Sequence, residues 1–362
     1  MINLAFLTGA RSEYGIAKSL LFKLRDDDDI NLMMFPNGMH LLKIFGYTLS
    51  EIKKDGFSIT KSINTYDCSE KKFDQFSNSV KMISKVLEKY NIDAIYLIGD
   101  RIEAYSAALA GHFLKIPVIH SGGGTITRGA VDNIYRYNIT NLSEIHLSTS
   151  KNNYNRLLQC PLTDSARVFF TGSTAIDAIL DFKKNKMKIK VIDSNYYALM
   201  TFHPVTAKEE RIDEIMDIAI REILKHKCEI LITYPNNDTG YEKIIKVINK
   251  WENHEKIFTH KSLGTYNYYN AIERCLFGIG NSSSGVVEFP YFNKISMNIG
   301  SRQDGRDKDS SVIDIVARKK RIIEALDDGF KNSWDAQKCN NLYGNGDAIK
   351  KTMIPKLDIL PT

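Results

Sequence analysis

The residues best suited to chemistry lie between positions 279 and 306. A short apolar run ends at Gly280 and is followed by an asparagine and three serines, residues 281–284. These side chains are typical caps, so we expect a helix to begin near Gly285. A helix that begins after a buried parallel strand presents free backbone N–H groups and a partial positive charge. The stretch therefore suits a phosphate group.

Three charged residues extend this interpretation. Glu288 lies one turn into the expected helix, where its carboxylate could reach a ribose diol. Arg302 and Arg306 follow the next apolar strand, and guanidinium groups suit a diphosphate. An ordinary strand–turn–helix with a serine-rich cap explains the same residues, and both interpretations stay open at this point.

Other polar residues also follow predicted strands. Arg11 lies in a strand-to-helix turn that does not match G-x-G-x-x-G, yet it is suited to bind an anion. Asp100 and Arg101 end the strongest strand of the first half with a carboxylate and a guanidinium, although a surface ion pair is an equal alternative. His40 and His203 each follow a strand end. A histidine there is more often a loop residue with its hydrogen bonds satisfied than a catalytic residue. The proline after His203 restricts its backbone and favours a positioning role.

The sequence contains no metal-binding pattern, and we predict neither a metal nor a cofactor. There is no H-E-x-x-H motif, acidic metal cluster or Ser/His/Asp spacing. The five cysteines include no C-x-x-C pair, which indicates reduced thiols and a cytoplasmic protein. They are Cys68, Cys160, Cys228, Cys275 and Cys339.

Composition is that of a soluble globular protein, and its mild positive charge suits a small anionic substrate. Of the 362 residues, 43% are hydrophobic and 25% are charged, with a formal net charge of +6. No apolar run approaches the ~20 residues of a membrane span, and the first residues lack the basic leader of a signal peptide. The basic runs at 183–188 and 318–321 are not interleaved with aromatic residues. We therefore predict solvated surface there, and neither nucleic acid nor membrane as a partner.

Strands and helices alternate along the whole chain, which predicts doubly wound parallel sheets of Rossmann type. We expect a first domain at 1–184, a Lys-rich linker at 185–195 and a second domain at 192–344. A C-terminal helix within 345–362 is expected to rejoin the first domain. Two such domains facing a central cleft describe the GT-B arrangement, in which ligands lie beyond the carboxyl ends of the strands.

Eight stretches, taken together, resemble the hydrolysing UDP-N-acetylglucosamine 2-epimerases of the sialic and legionaminic acid pathways. The resemblance covers nearly the whole chain. The matching stretches are 8–15, 37–40, 99–103, 127–132 with Arg136, 202–204, 236–240, 280–288 and 298–306.

The resemblance implies a reaction and a set of site residues. The family eliminates the nucleoside diphosphate across C1–C2 to give a glycal, and water then adds with inversion at C2. The residues implied for UDP binding are Arg11, Arg101, His203, Asn236, Lys261, Ser282, Ser283, Glu288 and Arg302. The implied catalytic residues are His40, Asp100 and Asp132. A homodimer and a role in nonulosonic acid or surface polysaccharide synthesis are implied as well.

One wall of the implied site departs from the family pattern. Where the family has His-x-His-Gly-Gly-Glu, this chain has glycine at 122 and Thr125 in place of the glutamate. Arg128 replaces an acidic residue, and Tyr137 replaces a histidine. A threonine hydroxyl cannot exchange protons near neutral pH as a carboxylate does. The sequence therefore leaves two alternatives to a divergent epimerase: a GT-B glycosyltransferase-like enzyme and a non-catalytic nucleotide-sugar binder.

Overall fold

The architecture is taken from a computed structural model that describes residues 1–65, 72–185, 191–336 and 339–353. The first half of the chain forms a six-stranded parallel sheet in the order β2-β1-β3-β4-β5-β6. Its strands are β1 (Ile2–Thr8), β2 (Ile30–Pro36), β3 (Ala94–Ile98), β4 (Val118–Ser121), β5 (Ile145–Ser148) and β6 (Val168–Phe170).

Both faces of the first sheet are buried, because successive residues of its strands enter different cores. In β1, Leu4 and Phe6 pack in one cluster while Ala5 and Leu7 pack in another. A parallel sheet covered by helices on both faces produces this near-continuous apolar pattern. The covering helices are α1 (Arg11–Arg25), α2 (Leu49–Lys54), α3 (Lys72–Leu87), α4 (Ile102–Leu114), α5 (Asp132–Asn141), α6 (Lys151–Leu158) and α7 (Thr174–Asn185). Short 3-10 helices occupy Gly38–Leu41, Lys43–Phe45 and Ser165–Arg167.

The second half forms another six-stranded parallel sheet, in the order β12-β11-β10-β7-β8-β9. Its strands are β7 (Tyr197–Thr201), β8 (Glu229–Thr233), β9 (Ile257–His260), β10 (Phe277–Gly280), β11 (Ser296–Ile299) and β12 (Val312–Ile315). The accompanying helices are α8 (Ile212–Lys225), α9 (Tyr241–Trp251), α10 (Thr265–Arg274), α11 (Ser283–Val287) and α12 (Lys319–Asn332), with a 3-10 turn at Phe289–Phe292. The prediction of two doubly wound Rossmann-type sheets is confirmed.

The chain divides into two compact units, and each contains one sheet. The first unit comprises Met1–Thr125, Asp132–Leu180 and Tyr343–Thr362, and the second comprises Ile126–Val131 and Asp181–Leu342. The expected first domain, 1–184, differs from this division chiefly at the six residues Ile126–Val131.

Backbone hydrogen bonds explain why Ile126–Val131 groups with the second unit. The N–H of Arg128 donates to the carbonyl of Asp304 at 2.9 Å, and the carbonyl of Gly129 accepts from Thr206 and Ala207, both at 3.2 Å. A Cβ at Gly129 would collide with the carbonyl of Ser301, so only glycine permits this approach.

Several element boundaries differ from those expected. The helix expected near Gly285 begins at Ser283, and α12 was not predicted, because its Arg and Lys residues were interpreted only as solvated surface. The C-terminal helix α13 covers Ala348–Met353 within the expected 345–362, and residues 354–362 lie outside the described part. The expected linker also falls partly outside the described residues, at 186–190. No helix in the described ranges is long and apolar enough to cross a membrane.

Candidate active site

Residues expected to bind nucleotide follow the carboxyl ends of five strands of the second sheet. His203 follows β7, Asn236 follows β8, Lys261 follows β9, Ser282 follows β10 and Arg302 follows β11. Parallel strands end at the same edge of a sheet, so the fold gathers these residues along that edge. Arg306 lies a few residues beyond Arg302 and is partly buried.

Arg302 is fixed by two partners within the second unit. Its Nη1 donates to the carbonyl of Asn281 at 3.3 Å, and its Nη2 donates to Oδ2 of Asp238 at 3.1 Å. The side chains of this ion pair are only 13% and 8% exposed. Gln303 donates to the same Asn281 carbonyl at 2.9 Å. Arg302 is therefore held at the strand edge rather than free in solvent.

His203 and Asn281 form a reciprocal hydrogen-bonded pair. The backbone N–H of His203 donates to Oδ1 of Asn281 at 2.7 Å, and Nδ2 of Asn281 donates to the His203 carbonyl at 2.8 Å. The backbone N–H of Asn236 donates to Nδ1 of His203 at 3.2 Å. Because Nδ1 accepts, the neutral ring carries its proton on Nε2. Asn281 and Asp238, which hold the expected nucleotide residues in place, were not predicted as site residues.

Glu288 belongs to a chain of side chains at α11. Its Oε2 accepts a short hydrogen bond from the hydroxyl of Ser284, which itself accepts from the hydroxyl of Tyr268 at 2.9 Å. Burial raises the pKa of Glu288 above its ordinary value. Ser282 precedes α11 and its Oγ accepts from the N–H of Ser284, while Ser283 is the first helical residue. The expected serine cap is therefore present.

Asp100 of the first sheet edge forms an ion pair with Arg136 of α5. Oδ2 of Asp100 accepts from Nη2 of Arg136, whose Nη1 donates to the Thr125 carbonyl at 2.8 Å. Arg136 is buried, whereas the Asp100 side chain is 24% exposed. Asp132 is the first residue of α5, one turn before Arg136. Two of the three expected catalytic residues are thus associated with Arg136: Asp100 pairs with it, and Asp132 lies one turn before it in α5.

Thr125 is the residue expected to replace the family glutamate, and its hydroxyl accepts from Nδ2 of Asn153 at 2.8 Å. Oδ1 of Asn153 in turn accepts from Nη1 of Arg156 at 2.9 Å, and the same nitrogen donates to the Gly124 carbonyl at 3.2 Å. Thr125 and Asn153 are both buried. The threonine is therefore part of a local network with α6, which no sequence pattern had indicated.

His40 is fully buried between two threonines. Its Nε2 lies 3.0 Å from Oγ1 of Thr8, and its Nδ1 lies 2.7 Å from Oγ1 of Thr48. Burial lowers the pKa of His40 to about 3, so the ring is neutral near neutral pH. Both ring nitrogens are occupied, so a direct contact with a sugar would require the ring to leave this position. The expected catalytic role of His40 stays a prediction.

Arg101 lies beside two buried carboxyl groups, of which neither was predicted as a site residue. Its Nε is 3.3 Å from Oε2 of Glu103, and the two side chains are 11% and 2% exposed. Glu13, in α1, is also buried and feels the charges of both residues. Burial, opposed by Arg101 and assisted by Glu103, raises the pKa of Glu13 to about 7. Arg11 is the first residue of the same helix.

Two more buried histidines lie on adjacent strands of the first sheet. His120 pairs with His146 in the register of β4 and β5, and Nε2 of His120 lies 2.7 Å from the Gly99 carbonyl. Burial lowers the pKa of each ring to about 4. Among the described residues, no group of three or more His, Cys, Asp or Glu side chains could hold a metal ion.

The chain matches known proteins over nearly its whole length. The model of the family described as UDP-N-acetylglucosamine 2-epimerase matches residues 23–354. The UDP-N,N'-diacetylbacillosamine 2-epimerase (hydrolyzing) of Legionella pneumophila is 30% identical, over 95% of this chain and 92% of its own length. The polysialic acid biosynthesis protein P7 of Escherichia coli is also 30% identical, over 90% of this chain and 85% of its own length.

A solved structure shows the same fold. The UDP-GlcNAc 2-epimerase from Neisseria meningitidis bound to UDP-GlcNAc superposes with a TM-score of 0.82 at 17% identity, covering 98% of this chain and 100% of its own. This likeness supports the GT-B-like fold class. With matches of this extent in both sequence and structure, the chain belongs to the UDP-N-acetylglucosamine 2-epimerase family.

Proposed function

We propose that the protein is a hydrolysing 2-epimerase of a nucleotide-diphosphate N-acetylamino sugar. Its substrate would be UDP-N-acetylglucosamine or a 2,4-diacetamido analogue, and its products would be UDP and the free 2-epimer. A base removes the C2 proton while the C1–O bond to the diphosphate breaks, which gives a glycal. Water then adds its hydroxyl to C1, and a proton returns to the opposite face of C2.

The observation that carries this proposal is the fixed group of Arg302, Asp238, Asn281 and His203 at the second sheet edge. The guanidinium of Arg302 is held by a carboxylate and a carbonyl, and the His203 ring is oriented by a backbone N–H. A guanidinium and an oriented imidazole N–H suit the oxygens of a diphosphate leaving group. The remaining nucleotide ligands in this proposal are Arg11, Arg101, Asn236, Lys261, Ser282, Ser283 and Glu288.

In this proposal Asp100 and Asp132 perform the proton transfers. Asp100 is partly exposed and its carboxylate is paired with Arg136. Asp132 is the first residue of α5, one turn before Arg136. His40 is the third proposed proton-transfer residue, subject to the movement of its ring described above.

The reaction in deuterated water tests the proposal. After incubation with UDP-N-acetylglucosamine, or with UDP-N,N'-diacetylbacillosamine, NMR should detect UDP and a free sugar that carries deuterium at C2. Deuterium at C2 requires elimination and re-addition. If these sugars and their GDP-linked analogues give no turnover while UDP still binds, the proposal is wrong.

A second candidate function is favoured by the Thr125 hydroxyl, which is bound to Asn153 and cannot replace a carboxylate. A GT-B glycosyltransferase-like enzyme would release UDP only when an acceptor sugar is added. A non-catalytic binder would be stabilised by UDP without any turnover. The same NMR experiment, repeated with and without acceptor sugars, separates these outcomes.

We also propose a cytoplasmic homodimer that acts in nonulosonic acid or surface polysaccharide synthesis. The name of the Escherichia coli relative supports such a pathway. We retain 1–184 and 192–344 as proposed domain limits, except that residues 126–131 are assigned to the second unit. Light scattering after size exclusion would measure the oligomeric state.

A further inference from the structure

We propose that Glu13 and Glu103 share one proton beside Arg101, and that an anion bound at Arg101 draws this proton into the pair. The inference deepens the proposed function, because it rests on Arg101 as a ligand of the diphosphate. In this role Glu13 and Glu103 are positioning residues, since neither is expected to touch the sugar.

The two oxygens of Glu13 have unequal surroundings. Oε2 accepts from the N–H of Gly9 at 2.7 Å, from the N–H of Ala10 at 3.2 Å and from the Thr8 hydroxyl at 3.3 Å. Oε1 is buried and has no hydrogen-bond partner among the described residues. A carboxyl group with three donors on one oxygen and none on the other is arranged to carry a proton on the second.

Glu103 is the second carboxyl group of the pair. Its side chain is 2% exposed and forms an ion pair with Nε of Arg101. Within the described ranges, neither of its buried carboxylate oxygens accepts a hydrogen bond. The Glu103 side chain packs directly against Gly9, whose N–H donates to Glu13, so both carboxyl groups flank one residue. Glu103 acts on Glu13 through its charge, so a proton on Oε1 of Glu13 removes one of two like charges beside Gly9.

The charge balance favours one shared proton. Two buried carboxylates beside one guanidinium would leave a net buried negative charge, which is costly in a poorly solvated site. Burial is the main reason that the pKa of Glu13 rises to about 7. The charged groups acting on it from packed elements are Arg101 and Glu103. His40, which shares the Thr8 hydroxyl, stays neutral because burial lowers its pKa to about 3.

Anion binding therefore becomes linked to proton uptake. A diphosphate at Arg101 competes for the guanidinium and repels a second carboxylate, so the pair takes a proton from solvent. The proton returns to solvent when the anion leaves. It follows that affinity for the anion falls as pH rises through about 7, the pKa of Glu13 in the free protein.

Calorimetry with UDP-glucose tests this linkage in the wild-type protein. The diphosphate of this probe is a diester, so its charge does not change across the neutral range. At pH 7.5, the binding enthalpies measured in phosphate and in Tris should differ. The difference should correspond to the uptake of roughly half a proton or more from the buffer. If binding raises the pKa of Glu13 to about 8, affinity should fall roughly sixfold between pH 6.5 and pH 8.5.

Three variants separate the pair from general effects. Glu13→Gln mimics the protonated acid, so it should bind UDP-glucose without proton uptake and with no pH dependence from this source. Glu103→Gln should lower the pH at which Glu13 titrates, because Arg101 then acts on Glu13 alone. The exposed Glu88→Gln is the control and should behave as the wild type.

An infrared difference titration without ligand provides a second measurement. A protonated carboxylic acid band that disappears as pH rises through about 7, and that is missing in Glu13→Gln, supports the shared proton. Its absence from the wild type overturns it. Binding of UDP-glucose by the wild type without proton uptake overturns the linkage, even if Glu13→Gln fails to fold. If UDP-glucose does not bind but the band titrates, the shared proton is supported and the diphosphate role of Arg101 is wrong.

Discussion

The two sheet edges hold their polar residues in different ways. At the second edge, His203 and Asn281 are tied to backbone groups and to one another, and Arg302 combines a backbone carbonyl with the Asp238 carboxylate. At the first edge, Asp100, Arg136, Arg101 and Glu103 are held by pairs of opposite charge. Backbone contacts fix geometry whatever the pH, whereas charge pairs respond to protons and ions. The difference suits a binding edge and a reacting edge.

Asp100→Asn, at the first sheet edge, should cause the largest loss of turnover. The amide keeps the size of the side chain but cannot accept a proton as a base, so turnover should fall about a thousandfold, or ~4 kcal/mol in barrier height. Steady-state release of UDP measures the loss, and UDP affinity should change little. Asp26→Asn, at an exposed carboxylate, is the control. Turnover of Asp100→Asn within threefold of wild type would exclude Asp100 as a catalytic base.

Acid should destabilise the first unit more than the second. The folded-state pKa values of His40, His120 and His146 lie near 3 to 4, below the unfolded value of about 6.5. The stabilisation from these buried neutral rings is therefore complete above pH 6.5. It is lost as pH falls from 6.5 towards 4. Glu13 acts in the opposite direction. Its raised pKa stabilises the folded state fully below the unfolded pKa of this carboxyl group, and that stabilisation is lost as pH rises through about 7.

The net loss from these four groups between pH 7 and pH 5 is about 3 kcal/mol in the free energy of unfolding. Urea denaturation at both pH values measures the total, and hydrogen exchange by mass spectrometry locates it. Amides of β4 and β5 should lose protection at pH 5 before those of β7 and β10. Equal loss in both sheets would contradict the comparison.

Arg302→Ala should weaken UDP binding at the second edge by about 2–3 kcal/mol, equivalent to a loss of affinity of about 30- to 150-fold. The substitution removes a guanidinium and leaves the buried Asp238 carboxylate without this partner. Calorimetric titration with UDP measures the effect. Arg211→Ala, at an exposed arginine paired with Glu214 three residues along α8, should leave affinity unchanged. Similar affinities for both variants would refute the role of Arg302.

Thr125→Val should produce the smallest effect. It keeps the shape of the side chain but removes the acceptor of the Asn153 hydrogen bond, at a cost of about 1 kcal/mol in stability. Thermal unfolding should reveal the loss, while UDP affinity should stay at the wild-type value. Thr125→Ser keeps the hydroxyl and is the matched control. A loss of UDP affinity in Thr125→Val would place the residue in the binding machinery instead.

Part of this arrangement follows from local sequence. The apolar runs that end at Ile98 and Gly280 predict buried parallel strands, and polar residues directly after such strands must lie at one sheet edge. That rule was enough to bring Asp100, Arg101, His203 and Arg302 into the expected site. It did not reach α12. Ile322, Leu326 and Phe330 recur every fourth residue there, as in an amphipathic helix, but only the basic residues at its start were interpreted.

By itself, the sequence determined the two-sheet architecture, the family and the strand ends at which polar residues gather, because these follow from periodicity and from the order of short motifs. Only the tertiary structure decided the partners: His40 enclosed by Thr8 and Thr48, Thr125 bound to Asn153, and Glu13 beside Glu103. These contacts join residues from different elements, and burial between packed elements sets their protonation. No local pattern of residue types encodes that burial.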